Sequence, residues 1–283
     1  MPSYRVYDVF TDTAFGGNPL AVFPDAKDIP EATLQKIARE FNFSETTFVF
    51  PPDDPAHTAK VRIFTPMREI IFAGHPTIGT AIALSDLGHD GPMVLELGVG
   101  PIPCTVTKDG ASFTTSAPLD IFAHPSLDLV AAAIDISPDL IQTETHVPTQ
   151  ASLGLEFVFV ELKSRADLSA CTPVTDGFKA GAAVHPAGLD FAIFAYVRNG
   201  NRLDARMFAP LDNMPEDPAT GSACATIAAL LSELAGEPLS FDIHQGDDMG
   251  RPSRIKATAL PGKPYPIKIA GNAVLTMEGQ FVG

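Results

Sequence analysis

Basic residues are scarce in this chain. Its 283 residues include 19 lysines and arginines against 34 aspartates and glutamates, a formal net charge of -15 at pH 7. That balance repels phosphate polymers and anionic lipid, and it argues against nucleic acid and membranes as partners. Cysteine is scarce as well. Cys104, Cys171 and Cys224 are odd in number and far apart, so the expectation is a reducing, cytoplasmic compartment and no disulfide framework. No apolar run approaches membrane-spanning length. The start, Met1-Pro2-Ser3-Tyr4-Arg5, lacks the charged-then-apolar pattern of a secretory signal. Familiar cofactor motifs are missing too. Gly98-Val99-Gly100 lacks the third glycine of a dinucleotide fingerprint, and there is no phosphate loop with Gly-Lys-Ser/Thr. There is no Gly-x-Ser-x-Gly elbow, and no pair among the seven histidines has metal-ligand spacing. An acid/base enzyme needing neither cofactor nor metal fits these absences.

What is present supports a globular protein: 45% of residues are hydrophobic and 19% charged. The length suits one large domain or two medium ones. The stretch from Arg62 to Leu84 organises the rest. It reads strand, turn, strand, then a Gly74-His75-Pro76-Thr77 corner and a helix over 77–84 without a charged residue. A helix that is apolar or small all round is a buried one. Pro76 suits its first position, and its N-terminus aims free amides and partial positive charge at whatever sits beside His75.

The same text returns half a chain later. Arg206-Met207-Phe208-Ala209-Pro210 echoes Arg62-Ile63-Phe64-Thr65-Pro66, and Asp217-Pro218-Ala219-Thr220-Gly221-Ser222 opens a second small-residue helix reaching Leu231. The repeat predicts two similar domains, each with a buried helix. If both helix ends face one cleft, that cleft favours an anionic ligand.

Between these landmarks the pattern predicts strands over 4–10, 20–23, 46–50 and 59–64. Residues 30–41 form an amphipathic helix with Leu34, Ile37, Ala38 and Phe41 on one face. Asp109-Gly110 reads as a hairpin turn. The periodicity changes over 117–125, which places a boundary between domains at 1–117 and 118–267. Helical text over 127–134 and strands over 155–162, 191–197, 206–208, 239–244 and 254–260 follow. Residues 168–171 are too short to assign.

Few residues offer chemistry. Glu45 heads an apolar strand between phenylalanines, where desolvation would favour a carboxyl able to take and return a proton; a solvated glutamate at a strand end reads the same way. His75 is a proton carrier or donor at the helix mouth, or a structural cap. Asp217 holds the matching place before Pro218, where a plain N-cap is the simpler reading. Thr220-Gly221-Ser222 combines glycine for close approach with hydroxyls suited to a carboxylate, or is only a small-residue helix start. Cys224, inside the second helix, reads as a small hydrophobe. Gln245-Gly246 and Gly250-Arg251-Pro252-Ser253 read as a polar loop.

Taken together, Phe15-Gly16-Gly17-Asn18-Pro19, Ser44-Glu45-Thr46-Thr47-Phe48-Val49, Phe64-Thr65-Pro66, Phe72-Ala73-Gly74-His75-Pro76-Thr77, Asp217-Pro218-Ala219-Thr220-Gly221-Ser222 and Gly250-Arg251-Pro252 resemble the phenazine-biosynthesis PhzF-like isomerases. The resemblance implies an α+β, diaminopimelate-epimerase-like fold: two pseudo-symmetric domains, each a mostly antiparallel, barrel-like sheet round a central buried helix. The last strand, within 268–283, would return to the first domain. It also implies a cofactor-free homodimer that shifts a proton on a small carboxylic acid. Glu45 matches the family's acid/base position, and Gly74, His75, Asp217, Gly221 and Ser222 match its substrate-binding and supporting positions. Related epimerases carry a cysteine before the glycine of each helix mouth. Ala73 and Pro218 stand there instead, which removes a two-thiol mechanism. An epimerase or dehydratase of an amino-acid-like acid using the same glutamate, or a carboxylate-binding protein without turnover, are the competing readings.

Overall fold

The computed structural model of this chain describes residues 1–89 and 91–282. It divides into two compact units, Met1–Thr114 with Ile269–Gly283, and Thr115–Lys268.

The first unit opens with β1 (Ser3–Val9), β2 (Asn18–Phe23), helix α1 (Glu31–Phe41), β3 (Glu45–Phe50), β4 (Ala59–Phe64) and β5 (Glu69–Ile70). Helix α2 (Gly74–Asp86) and strands β6 (Met93–Leu97), β7 (Gly100–Thr107) and β8 (Gly110–Thr115) complete its first stretch. β2 runs parallel to β3, β3 antiparallel to β4, and β4 pairs antiparallel with β5 and parallel with β6. β6 and β7, then β7 and β8, are antiparallel hairpins. Every residue of α2 from Gly74 to Leu84 is buried, as a helix without charge on any face requires. Gly79 allows the closest approach: a Cβ there would lie 2.6 Å from Leu20 and 2.7 Å from Val9. On the other side of the sheet, α1 lays Leu34, Ile37 and Ala38 against Phe23, Phe48 and Phe64.

The second unit holds β9 (Asp120–Ala123), α3 (Leu127–Ala133), β10 (Ile141–Gln142), β11 (Thr149–Ser152), β12 (Glu156–Leu162), α4 (Arg165–Ala170) and α5 (Thr175–Val184). Then come β13 (Ile193–Asn199), β14 (Arg202–Ala209), β15 (Met214–Asp217), α6 (Gly221–Ala235), β16 (Ser240–Gln245) and β17 (Ser253–Ala259). The pairing order repeats that of the first unit. β12 is parallel to β13, β13 antiparallel to β14, and β14 pairs antiparallel with β15 and parallel with β16, which pairs antiparallel with β17. α6 is the counterpart of α2 and is buried from Ala223 to Ser232. After β18 (Ile267–Gly271), β19 (Ala273–Gln280) runs antiparallel to β1 in the first unit. The fold is α+β: two pseudo-symmetric halves, each a mostly antiparallel sheet round a buried helix.

The Arg62/Arg206 echo has physical content. Arg62 pairs with Glu69 on β5 and stacks over Phe64 at 5.1 Å; Arg206 pairs with Glu216 on β15 and stacks over Phe208 at 4.8 Å. Each arginine ties a short strand to its neighbour just before the buried helix begins.

Some boundaries differ from the sequence reading. α2 starts at Gly74, so Pro76 is its third residue; first-turn N–H groups have no intrahelical acceptor, and its missing one is not felt there. α6 starts at Gly221, which leaves Pro218 outside it, and Asp217 ends β15 while Thr220 is the N-cap. α5 carries Gly177 and Gly181, which mask its helical pattern. Gly181 is required by packing, because a Cβ would lie 2.1 Å from the Phe191 ring.

Candidate active site

The alternation of β3 decides where Glu45 points. Phe48 joins the cluster under α1, whereas Thr47 faces α2 and accepts a hydrogen bond from Thr80 at 3.0 Å. Glu45, two residues before Thr47, shares its face. Its Oε2 lies 3.0 Å from His75 Nδ1, with the two side chains 12% and 4% exposed. The atoms are at ion-pair distance but are not aligned as a hydrogen bond. Glu45 Oε2 and His75 Nε2 are both buried without a hydrogen-bond partner among the described residues. Leaving such groups unpaired costs on the order of 1–3 kcal/mol each, which a ligand's polar atoms would offset.

The mouth of α2 is built from small residues. Ala73, in extended conformation, is its N-cap, and no side chain caps the helix. Thr77 satisfies the Ala73 carbonyl, donating its hydroxyl at 2.7 Å and its N–H at 3.4 Å. Gly74 and His75 are thus the first residues of a helix whose positive end is not neutralised by an acid of its own first turn. The glycine-rich loop before β2 is tied to β1, and the first residue of β2 to the residue before Glu45. Asp8 accepts the Phe15 N–H at 2.6 Å, and the Ser44 hydroxyl donates to the buried Asn18 at 3.0 Å. Gly17 has φ +59, and a Cβ would lie 2.3 Å from the Val9 carbonyl oxygen, so this turn demands glycine.

In the second unit, Asp217 is 4% exposed and its Oδ2 accepts the Thr220 hydroxyl at 2.5 Å. Gly221 and Ser222 are the first two residues of α6, which again has no side-chain cap and no acid in its first turn. The six candidates therefore form two sets: Glu45, Gly74 and His75 at the mouth of α2, and Asp217, Gly221 and Ser222 at the mouth of α6. Sequence reading placed Gln245 in a polar loop; it instead ends β16, is fully buried and is bonded to both Asp217 and Thr220. A single glutamine at a strand end carries no pattern that could have revealed it.

The thiols are not competing bases. All three are buried; burial pushes Cys104 and Cys171 up to about 12 and Cys224 well above the usual thiol range. A metal is poorly served too. Asp204, His244 and Asp247 bring ligand atoms within 4.8 Å of one another, but Asp204 pairs with Arg202 and Asp247 with Arg254. An open cleft of about 880 Å³ in the first unit, lined by Asp53, His57, Arg62, Glu69 and Glu96 among others, contains none of the candidates. Its charges are already engaged. Glu96 is held down to about 2 by the N–H groups of Asp54 and Asp53 and by His57, and Arg62 is shared by Glu69 and Glu31. The buried pair, not this cleft, carries the unspent chemistry.

Comparison with known proteins gives the family. The family described as phenazine biosynthesis-like protein matches residues 7–279. The chain belongs to this PhzF-like family of isomerases. An uncharacterized isomerase of Mesorhizobium japonicum is 38% identical to it over 301 residues, covering 99% of this chain and 98% of the relative. The trans-2,3-dihydro-3-hydroxyanthranilate isomerase of Pseudomonas fluorescens is 35% identical over 292 residues and 100% of both chains. The Bacillus anthracis phenazine biosynthesis protein of the PhzF family shares the fold, with a TM-score of 0.89 at 24% identity over 99% of both chains. A PhzF-like isomerase acts on a small substrate, and among the described residues no helix is long and apolar enough to cross a membrane.

Proposed function

We propose that this PhzF-like isomerase shifts a proton within a small carboxylic acid, with Glu45 as the group that moves it. The observation that carries the reading is the Glu45–His75 pair, 3.0 Å apart, with Glu45 Oε2 and His75 Nε2 buried and unbonded. In the proposed reaction the Glu45 carboxylate takes a proton from a substrate carbon. The C–H electron pair moves into the adjoining unsaturated system, and the Glu45 carboxyl returns the proton to a second carbon. No atom is gained or lost and no cofactor is called for. His75 holds a polar atom of the substrate through Nε2 and steadies the charge on Glu45 through Nδ1. Each helix mouth, at Gly74 in α2 and at Gly221 and Ser222 in α6, offers N–H donors and helix charge suited to an anionic group. Asp217 serves as the second polar group of the reaction. The relative of known substrate makes trans-2,3-dihydro-3-hydroxyanthranilate the first compound to assay. We also assign the protein to the cytoplasm and to a homodimer; light scattering that returns a monomer would remove the dimer.

Incubation with that compound in deuterated water tests the reading. An isomeric product labelled at the carbon that gains the proton is expected. Label confined to an α-carbon with inverted configuration would instead establish an epimerase, and binding without label a carboxylate-binding protein.

A further inference from the structure

Gln245 lies at the end of β16 with no exposed surface, and every polar atom of its amide is engaged at one four-residue turn. Nε2 donates to the Asp217 carbonyl oxygen at 2.7 Å and to Thr220 Oγ1 at 2.9 Å, while Oε1 accepts the Thr220 N–H at 3.1 Å. An N–H donor on the Thr220 backbone leaves only one orientation for the amide, oxygen towards Thr220 N. Thr220 Oγ1 then accepts a hydrogen bond from Gln245, and its own single O–H donates to Asp217 Oδ2. At 2.5 Å that contact is in the range of a hydrogen bond to an ionised carboxylate. The direction of the whole chain, Gln245 to Thr220 to Asp217, is thereby fixed.

The backbone shows why Gln245 can reach. Gly246 has φ +76, and a Cβ there would lie 2.4 Å from the Arg251 carbonyl oxygen and 2.8 Å from that of Pro218. Only glycine lets the end of β16 press against the 217–220 turn. The loop over 250–253, which sequence pattern left without a role, supplies the other wall.

We propose that Gln245, acting through Thr220, is a positioning residue for Asp217: it holds the carboxylate aimed in one rotamer for the substrate. The inference rests on the assignment of Asp217 to the reaction. A scaffold role alone would need the Gln245 bonds to backbone atoms, but not the relay through a hydroxyl to the carboxylate.

Thr220→Val keeps the side-chain shape and removes the relay; Thr220→Ser keeps the relay. Each variant is assayed for deuterium incorporation with trans-2,3-dihydro-3-hydroxyanthranilate, and the Asp217 carboxyl is titrated by carbon NMR. In Thr220→Val, kcat falls on the order of tenfold or more while KM changes far less, as expected for a misaimed group. Its Asp217 titration midpoint rises by about half a unit or more, because a donor to the charged form is gone. Thr220→Ser restores both. Wild-type kcat in Thr220→Val, or a fall in kcat with an unmoved Asp217 titration, overturns the proposal. If the wild-type protein is inert towards this compound, the proposed reaction fails for that substrate, and the Asp217 titration alone decides: an unmoved midpoint overturns the relay, a raised one that serine restores supports it.

Discussion

Thr47 and Thr80 meet hydroxyl to hydroxyl at 3.0 Å, one level along from the 3.0 Å meeting of Glu45 and His75. From Glu45 to Thr47 a strand advances ~6.6 Å, and from His75 to Thr80 a helix advances ~7.5 Å. Strand β3 and helix α2 therefore travel together past both contacts, and the threonine pair sets the register in which the carboxylate and the imidazole face each other. Both threonines are fully buried, in surroundings where valine would fit equally well by shape.

Replacing both at once separates register from stability. Removing both partners of a buried hydrogen bond while keeping shape is close to neutral. Thr47→Val with Thr80→Val is expected to melt within a few degrees of the parent, whereas either single change is the less stable. Proton exchange in the double variant should fall on the order of tenfold through loss of alignment. Thermal melts and deuterium incorporation, measured side by side, check this.

The two echoed arginines should differ in worth. Arg206 is 8% exposed and donates to Glu216 and to the carbonyl oxygens of Leu168, Ser169 and Cys171. Arg62 is more open and bonds to the exposed Glu31 and Glu69. Arg206→Ala takes the partner from the half-buried Glu216 and a donor from the Ser169 and Cys171 carbonyls, and should cost about 3 kcal/mol; Arg62→Ala should cost about 1 kcal/mol or less. Denaturant unfolding of both variants, fitted with a common slope, gives the comparison.

Thiol chemistry gives a pH test. Burial raises Cys104 and Cys171 from 9.0 to about 12 in the folded protein, so the stability carried by their neutral form is intact below pH 9. It is lost as pH rises through about 12. At pH 8 the native protein should resist iodoacetamide, and all three cysteines should react once it is unfolded. Mass spectrometry counts the labels.

Much of this was legible in the sequence because the deciding features are local. The uncharged run after His75, the arginine echo and the apolar strand that Glu45 heads each fix a face or a burial within a few residues. Ser44-Glu45 and Gly74-His75 could be named as candidates for the same reason. Their 3.0 Å meeting could not, since it depends on how β3 packs against α2 through Thr47 and Thr80. Helix starts were shifted for a similar reason: Ala73 has no side chain that can cap, and the Thr220 hydroxyl is turned to Asp217 instead of to the first turn of α6. Gln245 was invisible because its work lies entirely in contacts to a turn far away in sequence. The helix α5 was hidden by two glycines whose need arises only from the elements packed against them, the backbone of Ala132 and Ala133 for one and the ring of Phe191 for the other.

His75 is expected to act in binding as well as in rate. His75→Ala removes the Nε2 donor and the partner of Glu45, so both KM and kcat should worsen. Steady-state kinetics with isotope exchange would show whether the loss falls in both or in kcat alone; the second outcome would limit His75 to steadying Glu45.

Glu45→Gln in deuterated water is the most direct test of the whole account. The amide keeps the size of the carboxyl and its place opposite His75, but it cannot accept a proton at neutral pH. A positioned acid/base group contributes about 10²–10⁴-fold, so solvent deuterium entering trans-2,3-dihydro-3-hydroxyanthranilate should fall by at least that factor, with melting temperature and ligand affinity nearly unchanged. Exchange at close to the wild-type rate in Glu45→Gln would contradict the account and take Glu45 out of the mechanism.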